Sequence, residues 1–217
     1  KCQIFRLNMA EAKILLKEAR KAVDENDFDV AITKCKEVLR VDAKNYMALV
    51  LLGMALRGDE RAFVAFKKAI SLKGSNPLAY QGLAKAYENE GSAESLKASL
   101  EVYYKISSFP GCNELSVFKS FHEVALRIDD ANARDGIFNN LLDGETDAIK
   151  KDKLISLIVG ILKTSKNIPG VQSLVLYNKI IGAIEKPDSD FLKKYFDCIL
   201  NVEGHESALN KFWELQN

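Results

Sequence analysis

Little in this chain punctuates it. Four prolines and twelve glycines are spread over 217 residues, too few to turn the backbone about every ten residues as an all-β sandwich demands. An excess of one charge sign is missing as well. Lysine and arginine number 31 against 30 acidic residues, a formal net charge of +1, so no global field draws the molecule to nucleic acid or to an anionic membrane. Long apolar runs are also lacking: the longest, Ala48 to Leu56 and Leu154 to Leu162, fall well short of the ~18 residues that span a bilayer. Cysteine is scarce. Cys2, Cys35, Cys112 and Cys198 are isolated and unpatterned and there is no N-x-S/T sequon, which excludes a disulfide framework and predicts a reducing, cytoplasmic setting, with a nuclear one also open. Cys35 and Cys198 read as small core residues. The first residues lack the basic, apolar, small-residue order of a signal peptide, and the start at Lys1 instead of Met is expected of a piece of a longer chain.

Catalytic signatures are absent too. The sequence has no Gly-rich phosphate loop, no G-x-S-x-G elbow, no His-Glu-x-x-His and no paired C-x-x-C, so no enzyme activity and no cofactor are expected. His122 and Glu123 are adjacent on a predicted helix and point about a hundred degrees apart, with Cys112 well before them, a poor metal constellation. His205, beside Gly204, reads as a surface residue at a helix start. No metal site is expected.

What the chain does have is helical period. The hydrophobic class makes up 47% of it, enough for a sizeable core, and apolar residues recur at intervals of three and four almost throughout. The spacing predicts an all-α chain of about twelve helices, over 8–24, 28–40, 45–57, 59–72, 77–89, 93–108, 113–128, 131–142, 147–165, 171–184, 188–201 and 204–216. Asn76-Pro77 and Pro187-Asp188-Ser189-Asp190 supply capping oxygens and a first-turn proline, and Gly74, Gly91 and Gly204 fall where helices should stop. The clearest interruption, Ser107-Ser108-Phe109-Pro110-Gly111, divides the chain into repeats over 1–108 and a degenerate continuation over 109–217.

In the first hundred positions a period of about 31 to 34 residues emerges, the length of a helix–turn–helix repeat. One copy carries Leu49, Leu52, Gly53 and Leu56, then Ala62, Phe66, Ala69 and Ile70. The next carries Tyr80, Leu83, Ala84 and Tyr87, then Leu96, Leu100, Tyr103 and Tyr104. The first copy is clearest in Phe28, Ala31, Cys35, Val38 and Leu39. Small residues such as Ala31, Gly53, Ala62 and Ala84 let the two helices of a hairpin approach, and large ones fill the groove to the next hairpin. This resembles the tetratricopeptide repeat, with departures: a short turn in the second copy, Ala43 and Gly74 where the inter-repeat proline usually stands, and no aromatic in the first helix.

The order of segments goes further. Lys34-Cys35-Lys36-Glu37-Val38-Leu39, Asn45-Tyr46, Tyr80-Gln81-Gly82-Leu83-Ala84 and Tyr87-Glu88 make the first ~105 residues similar to the amino-terminal repeats of superkiller-type tetratricopeptide scaffold subunits. The resemblance implies a non-enzymatic α-solenoid arm. Members of that family hold a DExH-box RNA helicase and WD-repeat subunits together, and the assembly feeds messenger RNA to the cytoplasmic exosome for 3′-to-5′ decay. The helicase and WD-repeat contacts lie mainly toward the carboxy-terminal part of such subunits, so an amino-terminal piece would serve regulation or other partners.

Tetratricopeptide stacks line their concave groove with first helices, which places Lys13, Lys17, Arg20, Arg57, Gln81, Lys85, Glu88 and Asn89 there. This moderately basic set suits an acidic or extended peptide, and equally a solvated face of mixed charge. A peptide-binding adaptor or co-chaperone module therefore stays open beside the scaffold, although Leu16 and Arg20 stand where a clamp for chaperone tails needs lysine and asparagine. Tyr103, Tyr104, Phe118, Phe121, Phe191, Tyr195, Phe196 and Phe212 recur at helical spacing and read as core, so no direct RNA contact is expected. Leu154, Ile155, Leu157, Ile158, Ile161 and Leu162 predict a helix covered on more than one face. The stripe Leu209, Phe212, Trp213 and Leu215 fits either truncation before a further repeat or a last helix docked on its own solenoid.

Overall fold

In the computed structural model, residues 9–109, 114–166 and 169–216 are described. Among them are twelve α-helices and no strand: α1 (Met9–Asp24), α2 (Phe28–Val41), α3 (Tyr46–Ala55), α4 (Glu60–Leu72), α5 (Pro77–Glu90), α6 (Ala93–Ser107), α7 (Glu114–Leu126), α8 (Ala131–Gly144), α9 (Ala148–Thr164), α10 (Val171–Ile181), α11 (Ser189–Val202) and α12 (His205–Gln216). The starts are chemically marked. Asp27, Asn45, Asp59, Asn76, Ser92, Asp130, Asp147 and Asp188 each turn a side-chain oxygen onto a backbone N–H of the following first turn, satisfying donors that the helix itself leaves orphaned. The α5 stop is equally explicit, because Gly91 closes it at φ 74°, a left-handed conformation that residues with a Cβ resist.

The chain divides into two compact units, residues 1–117 and 118–217. Unit 1 is an α-solenoid of three antiparallel hairpins, α1/α2, α3/α4 and α5/α6, with α2 packed on α3, α4 on α5, and the first helices α1, α3 and α5 side by side. The capping residues keep the repeat: Asp27, Asp59 and Ser92 open the second helices, and Asn45 and Asn76 open first helices. Successive repeats are tied where α3 and α5 begin, since the Ala79 N–H donates to the Tyr46 hydroxyl oxygen at 3.3 Å in a buried setting, while Lys73 Nζ lies 5.1 Å over the Tyr46 ring.

Phe66 of α4 fills the space between hairpins. A Cβ built on Gly53 of α3 would lie 2.8 Å from its ring, and one built on Gly82 of α5 only 2.2 Å away. Glycine at both positions is what lets three helices close on one aromatic ring. In the third hairpin, Ala84 meets α6 so closely that Ser99 Oγ donates to its carbonyl at 3.1 Å.

In unit 2, α8 packs on α10 and also on α9, α9 on α11, α10 on α11 and α11 on α12. Its largely aliphatic core is threaded by aromatic contacts, with Phe121 and Phe138 centroids 5.7 Å apart and Tyr177 5.2 Å from Phe191 and 5.9 Å from Tyr195. At its centre Arg134 and Asp135 are both about 1% exposed. The Arg134 guanidinium donates to Asp135 Oδ1 at 2.8 Å and to Ser165 Oγ at 2.9 Å, and Ser173 Oγ donates to Asp135 Oδ2 at 2.6 Å. This network joins α8, the end of α9 and the start of α10.

One expectation needs correction, that of Phe212 as core, and others can be followed into the fold. Helix α9 buries Leu154, Ile155, Ile158, Ile161 and Leu162 on one stripe at helical spacing, Ser156 and Thr164 face solvent, and Leu157, Val159, Gly160 and Lys163 are half-buried around the rest of its second half, where it packs on both α8 and α11. Of the aromatics assigned to core, Tyr103, Phe121, Phe191 and Tyr195 are buried and Tyr104, Phe118 and Phe196 half-buried, but Phe212 is 41% exposed. Leu209, Trp213 and Leu215 are exposed with it, while the Phe212 ring lies 5.9 Å from that of Phe196 in α11, so the stripe is partly covered by its own fold. Cys35 and Cys198 do lie in the core at 0% exposure, where burial pushes both thiols up to about 12. Since the thiolate is the reactive form, a chain with Cys2 and Cys112 replaced by serine should not react with a thiol reagent at neutral pH until it is unfolded. Rapid labelling of the native chain would contradict this packing.

Candidate functional site

Among the described residues, a cleft of about 1040 Å³ opens in unit 1, built from the end of α3, the outer face of α4 and the second half of α5. Of the eight groove residues, Arg57, Gln81, Lys85 and Asn89 line it. Lys13, Lys17 and Arg20 are exposed on α1 but do not. Glu88 does not line it either: it is half-buried, accepts the Tyr103 hydroxyl from α6, and pairs with Lys85 Nζ at 3.0 Å.

The walls include residues that periodicity did not single out as site residues. Phe63, Val64 and Lys67 of α4 stand at i, i+1 and i+4, on the side of the helix next to the inward face that carries Phe66. Phe63 and the Tyr87 ring of α5 lie 4.9 Å apart, and Val64 is 67% exposed. The sequence signal was present but ambiguous, since an apolar residue bordering a buried stripe reads as the edge of the core. At the rim, Arg57 lies 5.1 Å over the Phe28 ring. Asp59 caps α4 and is gripped by the Arg61 guanidinium at 2.5 Å, and that hydrogen bond, with the Arg61 backbone N–H, holds its carboxyl down at about 2. Such a cleft can hold a chain segment. It assembles no nucleophile with a base, and among the described residues no group of three or more His, Cys, Asp or Glu could hold a metal ion. No helix among them is long and apolar enough to cross a membrane.

Stacked hairpins, glycine-set spacing and a cleft between repeats define in unit 1 a region of tetratricopeptide type, within a chain whose described residues are an all-α solenoid of helical hairpins. No family model matches the chain. Among curated proteins it is similar to tetratricopeptide repeat protein 37 of Xenopus laevis, 33% identical over 99 residues that cover 44% of this chain and 6% of that protein. Superkiller complex protein 3 of Homo sapiens is 35% identical over 103 residues, 46% of this chain and 7% of that protein, and superkiller protein 3 of Saccharomyces cerevisiae 34% over 87 residues, 35% and 6%. The chain carries a tetratricopeptide region of the kind found in superkiller complex protein 3, and its matches span 6–7% of the length of these relatives.

Proposed function

We propose that this chain is a non-enzymatic scaffold arm of a superkiller-type complex, supporting helicase-coupled, exosome-mediated 3′-to-5′ decay of messenger RNA in the cytoplasm. The observation that carries the reading is the identity of about one third to superkiller complex protein 3 over roughly three repeats, the size of the hairpin stack in unit 1. The architecture agrees: each hairpin buries one face on its neighbour and leaves the rest as surface, and the cleft offers binding groups without reactive ones. The partners in this reading are a DExH-box RNA helicase, WD-repeat subunits and exosome-linked factors, with no direct RNA contact by this region.

The test is affinity purification of the native protein from its own cells, with and without residues 1–217. The expected result is recovery of helicase and WD-repeat subunits in both cases, with peripheral partners lost from the truncated form. Absence of a helicase and of exosome components from both would overturn it. A second reading, a peptide-binding adaptor, is favoured by the cleft alone, and a wholly different partner set would select it.

A further inference from the structure

We infer that the cleft walled by α4 and α5 holds an extended peptide segment of a partner protein, one that presents a bulky apolar side chain next to an acidic one. The inference rests on the reading of unit 1 as a partner-holding stack and gives that stack a specific seat. Its apolar part is the half-buried ring pair Phe63 and Tyr87, with Met54 also in the lining, flanked by the largely exposed Val64. Its polar part is a row on α5. Gln81, Lys85 and Asn89 line the cleft four residues apart, so they step by about 6 Å along the helix, close to the ~6.6–6.8 Å that two residues of extended chain occupy. The Gln81 and Asn89 amides are exposed and hold no hydrogen-bond partner within the described protein. Each presents a donor and an acceptor, as a peptide group does.

The sign of the ligand's charge follows from which rim groups are already engaged. Asp59 is bound by Arg61 and Glu90 by the Ser95 hydroxyl. Glu60 remains, in the first turn of α4, where the positive end of the helix favours it. Arg57 and Lys67 hold no carboxylate. An acidic side chain entering the cleft therefore meets two unpaired cations, whereas a basic one meets carboxylates whose favourable contacts already exist.

The test uses the intact 217-residue chain, fluorescently labelled, on an array of short peptides pairing Asp or Glu with Phe, Leu or Trp. Matched sets carry Asn or Gln, or Lys or Arg, at the acidic positions, and binders are then measured by fluorescence polarisation. The acidic-apolar set should bind, with affinity falling as salt rises. Lys67→Glu together with Arg57→Glu should weaken it at least about tenfold, Val64→Asp should do likewise, and Lys13→Glu with Lys17→Glu on α1 should leave it unchanged, all with unaltered helical circular dichroism. Equal binding of neutral or basic sets, affinity indifferent to Lys67 and Val64, no binding by any peptide, or a short single-stranded RNA occupying the site with the same sensitivity would each overturn the inference. A silent array with the helicase still co-purifying removes the cleft alone; an active array without the helicase removes the assembly reading alone.

Discussion

Replacing Phe66 with alanine should lower the unfolding free energy of unit 1 by about 3–5 kcal/mol, the usual cost of emptying a buried aromatic site. The ring is 2% exposed and shared by three helices, α4 that carries it and α3 and α5 that close on it through Gly53 and Gly82. The surrounding backbone cannot collapse into the space without shifting whole helices, so the upper part of that range applies. Gly82→Ala should also destabilise, although alanine is the better helix former by about 1 kcal/mol. Its Cβ would stand 2.2 Å from the Phe66 ring, and a ring pushed away moves toward Gly53, where the clearance for a Cβ is already only 2.8 Å. Overpacking of this kind costs about 1–3 kcal/mol, enough to reverse the propensity gain. The two sites share one space, so Gly82→Ala in a Phe66→Leu background should cost less than in the parent. Hydrogen exchange of amides in α3, α4 and α5, with denaturant unfolding of the chain, reads these variants and Phe66→Leu alone. Additive effects would show that ring and glycine do not press on each other.

Removing Asp135 should cost about as much, for an electrostatic reason. Asp135→Ala leaves the Arg134 guanidinium buried with the Ser165 hydroxyl as its remaining hydrogen-bond partner, and breaking a buried pair in this way costs about 3–5 kcal/mol. Arg134→Met with Asp135→Leu should be much milder than Asp135→Ala alone, because no uncompensated charge is left in the interior; Ser165→Ala and Ser173→Ala added to it remove the hydroxyls that lose partners. Unfolding in denaturant, with exchange protection in α8, α9 and α10 as the local readout, orders the variants. A double variant as unstable as Asp135→Ala would mean that packing volume, not charge, dominates at this site.

These two centres were legible in the sequence to different degrees. The Phe66 position was visible as the large residue of a repeat with Gly53 among its small ones, because a hairpin period forces that alternation. That Gly82 is the tighter contact was not, since a glycine inside a helical pattern does not say what approaches it. The Arg134 and Asp135 pair was invisible: adjacent helical residues point about a hundred degrees apart, so a charged pair there reads as two separate surface groups, and only the arginine's length lets it curl back onto its neighbour.

The amino-acid pattern by itself determined the helices, their caps and the stacking period, because these depend on residues within a few positions of each other and on a repeat copied along the chain. It also carried the likeness to superkiller scaffold repeats. The tertiary structure alone decided which side of the stack opens into a cleft, that Arg57, Gln81, Lys85 and Asn89 meet Phe63, Val64 and Lys67 there while Lys13, Lys17 and Arg20 stay on α1, and that Glu88 is turned inward to Tyr103. The physical reason is that a helix face is fixed by sequence only up to a rotation of a few tens of degrees, and that rotation is set by ridges and grooves of neighbouring helices far away in the chain.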